Sequence, residues 1–476
     1  MSFFGAMSTA VTGIKAQSSA LSYISDNIAN SQTTGFKRTE ASFLDIVTVA
    51  NSTNQQPGAV LAQPKYTNSV QGTVTSSSIT TNMAINGDGY FIVSKAVGTA
   101  DNSPVFQNVD YYTRAGDFTP DKNGYLKNSS GYYLQGTPID PTTGNPAGDA
   151  TGVIQVNQSF LAAKASTTIN YQANLPLYPK TPNSDTTVAG SELLQTAAEK
   201  ASSTPPFHND PTNLTGTPAG DGVIQGQDEA TFLDRSVTGG SVTTYDASGN
   251  AVSVQLRWVK VDNANGDGSG TSPGTQSWQL FYKSDDTATG TSAKWTNAGQ
   301  TYTFDSAGNA TPPISSTTLS NLTVNGDNLG NITLYNGNGG VTQYADTSGT
   351  VTVNKIDQDG YAAGELVGLS ITDQGRIAGT YSNGKTLDLY QVTLAKFNNP
   401  DGLQKIDGAA FAATNESGQA IKGASGDIVG SALEESNVDL SDEFSKLIIA
   451  QQAYTANTRV ITAADSLMQE TLNMKR

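Results

Sequence analysis

The two ends of this chain carry the same pattern, and what lies between them does not. Phe4, Met7, Val11, Ile14, Ser18, Leu21, Ser25 and Ile28 recur at alternating spacings of three and four. That spacing puts them on one face of a helix. Leu440, Phe444, Leu447, Gln451, Tyr454, Thr458, Ile461, Asp465, Met468 and Leu472 repeat it near the other end. Between the ends, short runs of alternating apolar and polar residues are broken by Gly, Asn and Pro, the signature of strands and turns. The pattern predicts a mainly β protein with a terminal α-helical coiled-coil unit. Residues 1–38 and 436–476 are expected to pair, with β-domains inserted between them.

The C-terminal helix has its boundary signals in place. Asp439 stands where an N-cap belongs, and Asp442 and Glu443 fill a first turn that favours acids. A helix from Leu440 to Met474 would be roughly 50 Å long. Ser18, Ser25, Gln451, Thr458 and Asp465 interrupt the seams. A two-helix coil built from them buries little apolar surface by itself, so the ends are expected to order when many copies pack together. Periodicity alone leaves an ordinary coiled-coil tail or a dimerisation helix equally open.

The first seam ends in Asn27-Ile28-Ala29-Asn30-Ser31-Gln32-Thr33-Thr34-Gly35-Phe36-Lys37, and the second begins at Ser436-Asn437-Val438-Asp439-Leu440. Asn30 suits a helix C-terminus, and Gly35 suits a backbone conformation other residues avoid. These two stretches closely resemble the terminal signatures of the flagellar rod and hook protein family. Glu443-Phe444, Ala450-Gln451-Gln452, Tyr454, Ala456-Asn457 and Arg459-Val460-Ile461 extend the resemblance. It covers both ends and, less tightly, residues 70–137 and 357–435. It implies a structural subunit of the flagellar hook, polymerising into a flexible curved tube that transmits motor torque. The assembly residues expected on this reading are Phe4, Val11, Ile14, Leu21, Ile28, Leu447, Tyr454, Ile461 and Met468 in the seams, with Asn30, Gly35 and Phe36 at the turn.

Residues 39–80 and 397–435 read as linker segments, the first with room for one hairpin. Residues 81–170 and 357–396 read as one β-domain split in two. Met83–Val93 is a strand, a glycine turn and a strand, and Asn123-Gly124 marks a hairpin turn. Residues 171–356 read as an inserted outer β-domain, with a subdomain expected at 178–240 and a short helix around Glu192–Lys200. Val242–Val252 reads as a hairpin. Val254–Val259 and Ser277–Tyr282 alternate like half-buried strands. Asn263–Gly268 imitates the start of a calcium loop, but Gly274 stands where a bidentate Glu is needed, so a plain loop is the expectation.

Charge follows the same division. The net charge is −16; residues 1–38 carry +2, residues 440–476 balance, and residues 39–439 hold −18. Neutral ends and an acidic middle suit ends that pack together and an exterior that stays soluble. No basic face points to nucleic acid. There is no cysteine, so disulfides are excluded. No membrane span is expected, and no cleaved signal pattern opens the chain. The resemblance implies export through the flagellar type III apparatus to a place outside the cell. The partners it implies are further copies of the chain, the distal rod, the hook cap and the hook–filament junction proteins. His208 is the single histidine and sits in a Pro-rich stretch. With no catalytic or metal motif, neither an enzyme nor a cofactor is expected. Two alternatives stand beside the hook subunit: a rod-type axial subunit, and a β-rich surface adhesin with helical ends.

Overall fold

A computed structural model describes residues 3–51, 54–141, 143–148, 150–157, 160–214, 222–264, 274–337, 340–423 and 426–474. The chain is mainly β, with a long helix at each end: α1 (Phe3–Ala29), two short helices α2 (Ala197–Lys200) and α3 (Glu229–Asp234), and α4 (Leu440–Met474). It divides into two compact units. The first joins Met1–Ser159 to Leu366–Arg476, and the second is Phe160–Glu365.

In the first unit, α1 packs along α4 and across a long hairpin. The hairpin strands are β1 (Thr39–Asn51) and β2 (Asn54–Tyr66), which pair antiparallel from Thr39↔Tyr66 outward. Beyond the hairpin lies an antiparallel sheet built from both halves of the chain. Tyr132–Pro138 pairs with Tyr90–Ala100 through its first residues and with Thr386–Val392 through its last. The C-terminal segment thereby completes a sheet that the N-terminal segment starts. Alternation along these strands separates two cores. Met83, Phe91, Phe118 and Leu134 fill one, and Tyr90, Tyr112, Phe397 and Phe411 fill the other. The Asn123-Gly124 turn forms with Gly124 at φ +80°, held by Asp121 Oδ1, which accepts from the amides of Asn123 and Tyr125 at 2.9 Å each.

The second unit holds two five-stranded sheets. In one, Thr168–Asn174 runs parallel to Asp327–Tyr335 and antiparallel to Thr352–Gln358. The other is fully antiparallel and includes the hairpin Val237–Tyr245 with Ala251–Asp262, then Gln276–Lys283 and Ala293–Phe304. Tyr171, Trp258, Trp278, Tyr302 and Ile332 fill the main core. Trp258 Nε1 donates to Tyr171 Oη at 2.8 Å, and Tyr171 Oη donates to Gly239 O at 2.9 Å, so the polar tips of these buried rings are satisfied. Leu194, Phe207, Ile224 and Phe232 gather around Val259, Phe281 and Trp295 in a second, smaller core. That core is how much of 178–240 is held. The short helix near Glu192–Lys200 is α2, closed by a capping box between Thr196 and Glu199. His208 ties its loop to the start of α3 through Asp228, with Nδ1 2.6 Å from Oδ1. Most of the calcium-like loop, residues 265–273, lies outside the described residues.

Candidate functional site

The seam legible in the sequence and the line buried in the structure do not coincide. On α1 the buried residues are Ala10, Ala16, Ala20, Ile24 and Asn27. Val11 is 43% exposed, and Ile14, Leu21 and Ile28 are half-buried along the flank. The side chain of Phe4 lies outside the described residues. On α4 the buried residues are Glu443, Ala450 and Ala464. Leu447, Ile461 and Met468 are half-buried, and Tyr454 is 39% exposed. The reason is size. Small residues let two helix backbones approach closely: a Cβ added to Gly13 of α1 would come within 2.9 Å of the Asn457 amide of α4. Ile24 is the one large apolar side chain buried on these helices among the described residues, and most of the others turn outward. Ile448, Ile449 and Leu467 are 55%, 66% and 56% exposed.

The foot of this helical pair is polar and specific. Asn27 is buried and joins three elements. Its Nδ2 donates to Thr39 O (2.9 Å) and to Glu443 Oε2 (3.0 Å), and its Oδ1 accepts from the Thr39 amide (2.9 Å). Asp439 caps α4 as its position requires, accepting from the amides of Ser441 and Asp442 at 2.8 and 3.2 Å. Around it Arg38 reaches Glu40 (3.0 Å), and Lys446 reaches Asp442 (2.7 Å) and Glu443 (3.3 Å). The hydrogen bond and charge of Lys446 hold the Asp442 carboxyl below the usual range.

Between the helices and the sheet lies the turn that closes α1. Asn30 ends the helix, with its amide and its Nδ2 both donating to Asp26 O, at 3.0 and 2.9 Å. Gly35 takes φ +68°, and a Cβ there would collide with the Arg114–Ala115 backbone. Its N–H donates to Glu434 O at 2.8 Å. Phe36 lies under the Lys405 ammonium, 4.7 Å from ring centroid to Nζ. Lys405 also donates to Lys37 O and Thr39 Oγ1, and burial brings its ammonium down to about 8.

Lys37 follows, fully buried against an equally buried Glu434. Arg114 Nη1 reaches the other oxygen of Glu434 at 3.1 Å. Burial pushes the Lys37 ammonium below the usual lysine range; Glu434 pulls it back up, and Arg114 adds to the depression. Asn437 stitches the same corner, accepting from the Arg38 amide (2.8 Å) and donating to Val70 O (3.1 Å).

Residues 30–38 and 434–443 are thus brought together, and the described seam residues are left half-buried or partly exposed in the monomer. Sequence reading passes over Asn27, Arg114, Glu434 and Glu443 as functional residues. The signal it had was a charge set among apolar and turn residues, at Lys37 inside the first terminal motif and at Glu434 two residues ahead of the second.

Four known protein families match the chain. Residues 7–37 match the flagella basal body rod protein family, and residues 84–172 match the flagellar hook protein FlgE/F/G D1 domain. Residues 213–361 match the flagellar basal body protein FlaE D2 domain, and residues 429–474 match the flagellar basal body rod FlgEFG protein C-terminal family. The chain is 30% identical over 484 residues to the flagellar hook protein FlgE of Brucella abortus, covering 100% of both chains. It is 28% identical to that of Escherichia coli K12, covering 99% of this chain and 100% of the relative. A crystal structure of Helicobacter pylori hook protein FlgE2 aligns with a TM-score of 0.47 at 16% identity, over 74% of this chain and 98% of that one. With full-length identity and four domain matches in order, the chain belongs to the flagellar hook protein family.

Proposed function

We infer that this chain is the structural subunit of a bacterial flagellar hook and polymerises through its terminal helices. The family is structural, and the chain is not an enzyme. The observation that carries the assembly reading is the inversion of the helix faces. Within one copy, the residues that α1 and α4 bury are mostly alanines, with Gly13 closely approached by Asn457, while Phe444, Ile448, Ile449, Val460 and Leu467 are exposed. Such a face on a helix longer than a lone two-helix pair can hold suits packing against further copies, as a coiled-coil-like inner layer. An apolar groove of about 350 Å³ between α1, β1 and α4, lined by Ile24, Phe43 and Ile449 among others, adds to that surface.

On this reading the helices form the continuous inner wall of a tube. The β-rich domains form the outer layers of that tube. Contacts between outer layers slide as the tube bends, so torque passes while the axis curves. The chain reaches its place outside the cell by the flagellar export apparatus. The distal rod, hook cap and hook–filament junction proteins are its end partners. Deleting residues 440–476 is expected to leave both β-rich units folded and the protein monomeric in sedimentation. Tubes formed by that truncation would overturn the reading.

A further inference from the structure

Four separate stretches of chain converge on one buried carboxylate. Glu434 Oε1 accepts from Lys37 Nζ, which follows α1, and from the Gly72 amide (2.9 Å), which follows the hairpin. Its Oε2 accepts from Arg114 Nη1 (3.1 Å), which belongs to the β-sheet. Its own backbone precedes α4, pairs with Val74 and takes the Gly35 N–H. The two cations have further anchors. Lys37 Nζ donates to Val70 O at 2.6 Å. Arg114 Nη2 donates to Gly87 O at 2.8 Å, and the guanidinium sits 5.2 Å from the Tyr90 ring centroid. Lys37 and Glu434 are fully buried and Arg114 nearly so.

We infer that Glu434 is a positioning residue for assembly: it pins the turn behind α1 and the strand ahead of α4 to the β-sheet, and so sets the direction in which both terminal helices leave it. The residue is sealed inside one copy, so it acts through the helices and touches no neighbour. A buried ion cluster is a costly way to hold a corner, since apolar packing would stabilise it as well or better. What the cluster adds is direction: three donors on three segments satisfy one acceptor in a single arrangement. Two helices that pack into a wall of many copies need a fixed exit angle, because a small angular error at the base becomes a large displacement along a helix as long as α4.

The charges make a specific test. The wild-type cluster holds two cations and one anion. Glu434→Gln leaves two buried cations facing a neutral amide. Lys37→Met leaves a neutral Arg114–Glu434 pair, and the double variant leaves one cation. The measurement is amide hydrogen exchange on the full-length monomer, read at segments 30–38 and 67–74, with strands of residues 160–365 as internal control. Glu434→Gln is expected to speed exchange in both segments on the order of a hundredfold, without moving the control.

Lys37→Met is expected to speed exchange in the wild-type background and to slow it in the Glu434→Gln background. That reversal of sign is a result no general loosening produces. Polymerisation of Glu434→Gln is expected to need at least about tenfold more protein, with helix content retained in far-ultraviolet circular dichroism. Additive behaviour of the two substitutions would overturn the pin. Fast exchange with wild-type polymerisation would overturn its role in assembly. The assembly step rests on the hook reading; if the wild type itself formed no polymer, that reading would fail, and the reversal of sign would still decide whether Glu434 pins the joint.

Discussion

Replacing Leu467 with Gln separates the surface that folds the monomer from the surface that builds the polymer. Leu467 is 56% exposed on α4. Full burial of a leucine side chain is worth about 1.5–3 kcal/mol, so covering what remains exposed contributes roughly 1–2 kcal/mol per subunit. Gln has nearly the helix propensity of Leu, and an exposed substitution of this kind shifts monomer stability by about 0.5 kcal/mol or less. At about 1.4 kcal/mol per factor of ten, the critical concentration for polymerisation should rise roughly 5- to 30-fold while the monomer melts as before. Sedimentation of polymer against total protein gives the first quantity, and thermal unfolding of dilute monomer gives the second. A critical concentration that moved by less than about twofold would show that this face stays wet in the polymer. A monomer that lost as much as the polymer would show that Leu467 is part of the intramolecular core. Either result would refute the argument from inverted faces.

Two further outcomes concern residues 160–365, which hold all three tryptophans and so report by fluorescence alone. Lys260 is buried, which brings its ammonium down to about 8 against the pull of Glu192 and Asp262. The folded state therefore binds this proton more weakly than the unfolded chain. The associated penalty is fully present below pH 8 and is relieved as pH rises toward the ordinary lysine value of 10.5. Between about pH 7.5 and about 9.5, urea unfolding should show a gain of about 2 kcal/mol from this group, and Lys260→Met should remove that gain. Tyr171→Phe removes the hydroxyl that accepts from Trp258 and donates to Gly239 O. It leaves two buried polar groups unpartnered and should cost roughly 2 kcal/mol in the same unfolding assay; a loss near zero would mean that the site repacks.

The terminal helices were legible because alternating spacing and an N-cap are local signals. Asp439 needs only its own first turn, and it caps that turn. Asn123-Gly124 was legible for the same reason. The buried line between α1 and α4 was not, because periodicity weighs large apolar residues. Ala10, Ala20 and Ala450 carry almost no such weight, yet small residues like these suit the close approach. Leu194, Phe207, Ile224 and Phe232 fall at no period, so their shared core emerges only when the antiparallel sheet brings Phe281 and Trp295 beneath them. The Lys37–Glu434 pair is separated by 397 residues. Nothing local says which of 42 acids a buried lysine will meet.

The charge distribution and the inverted faces bear on the same problem from two directions. Long helices that pack side by side in many copies bring like surfaces together, and any net charge on them would be repeated at every contact. Repulsion between such surfaces acts over about a Debye length, roughly 8–10 Å at moderate salt, which is the spacing of packed helices. Residues 440–476 balance and residues 1–38 carry only +2, so this cost stays small, while the −18 of residues 39–439 is left where water can screen it. Part of the charge near the helical ends pairs off at their foot, in the Arg38, Glu40, Asp442, Glu443 and Lys446 cluster and in the buried Lys37–Glu434 pair, while Lys15, Arg459, Asp465 and Glu470 lie farther along the helices. At the foot the paired charges fix the arrangement within one copy; farther along α4 the charges are sparse and of both signs, and Ile448, Ile449 and Leu467 remain as the exposed apolar face proposed to meet the neighbours.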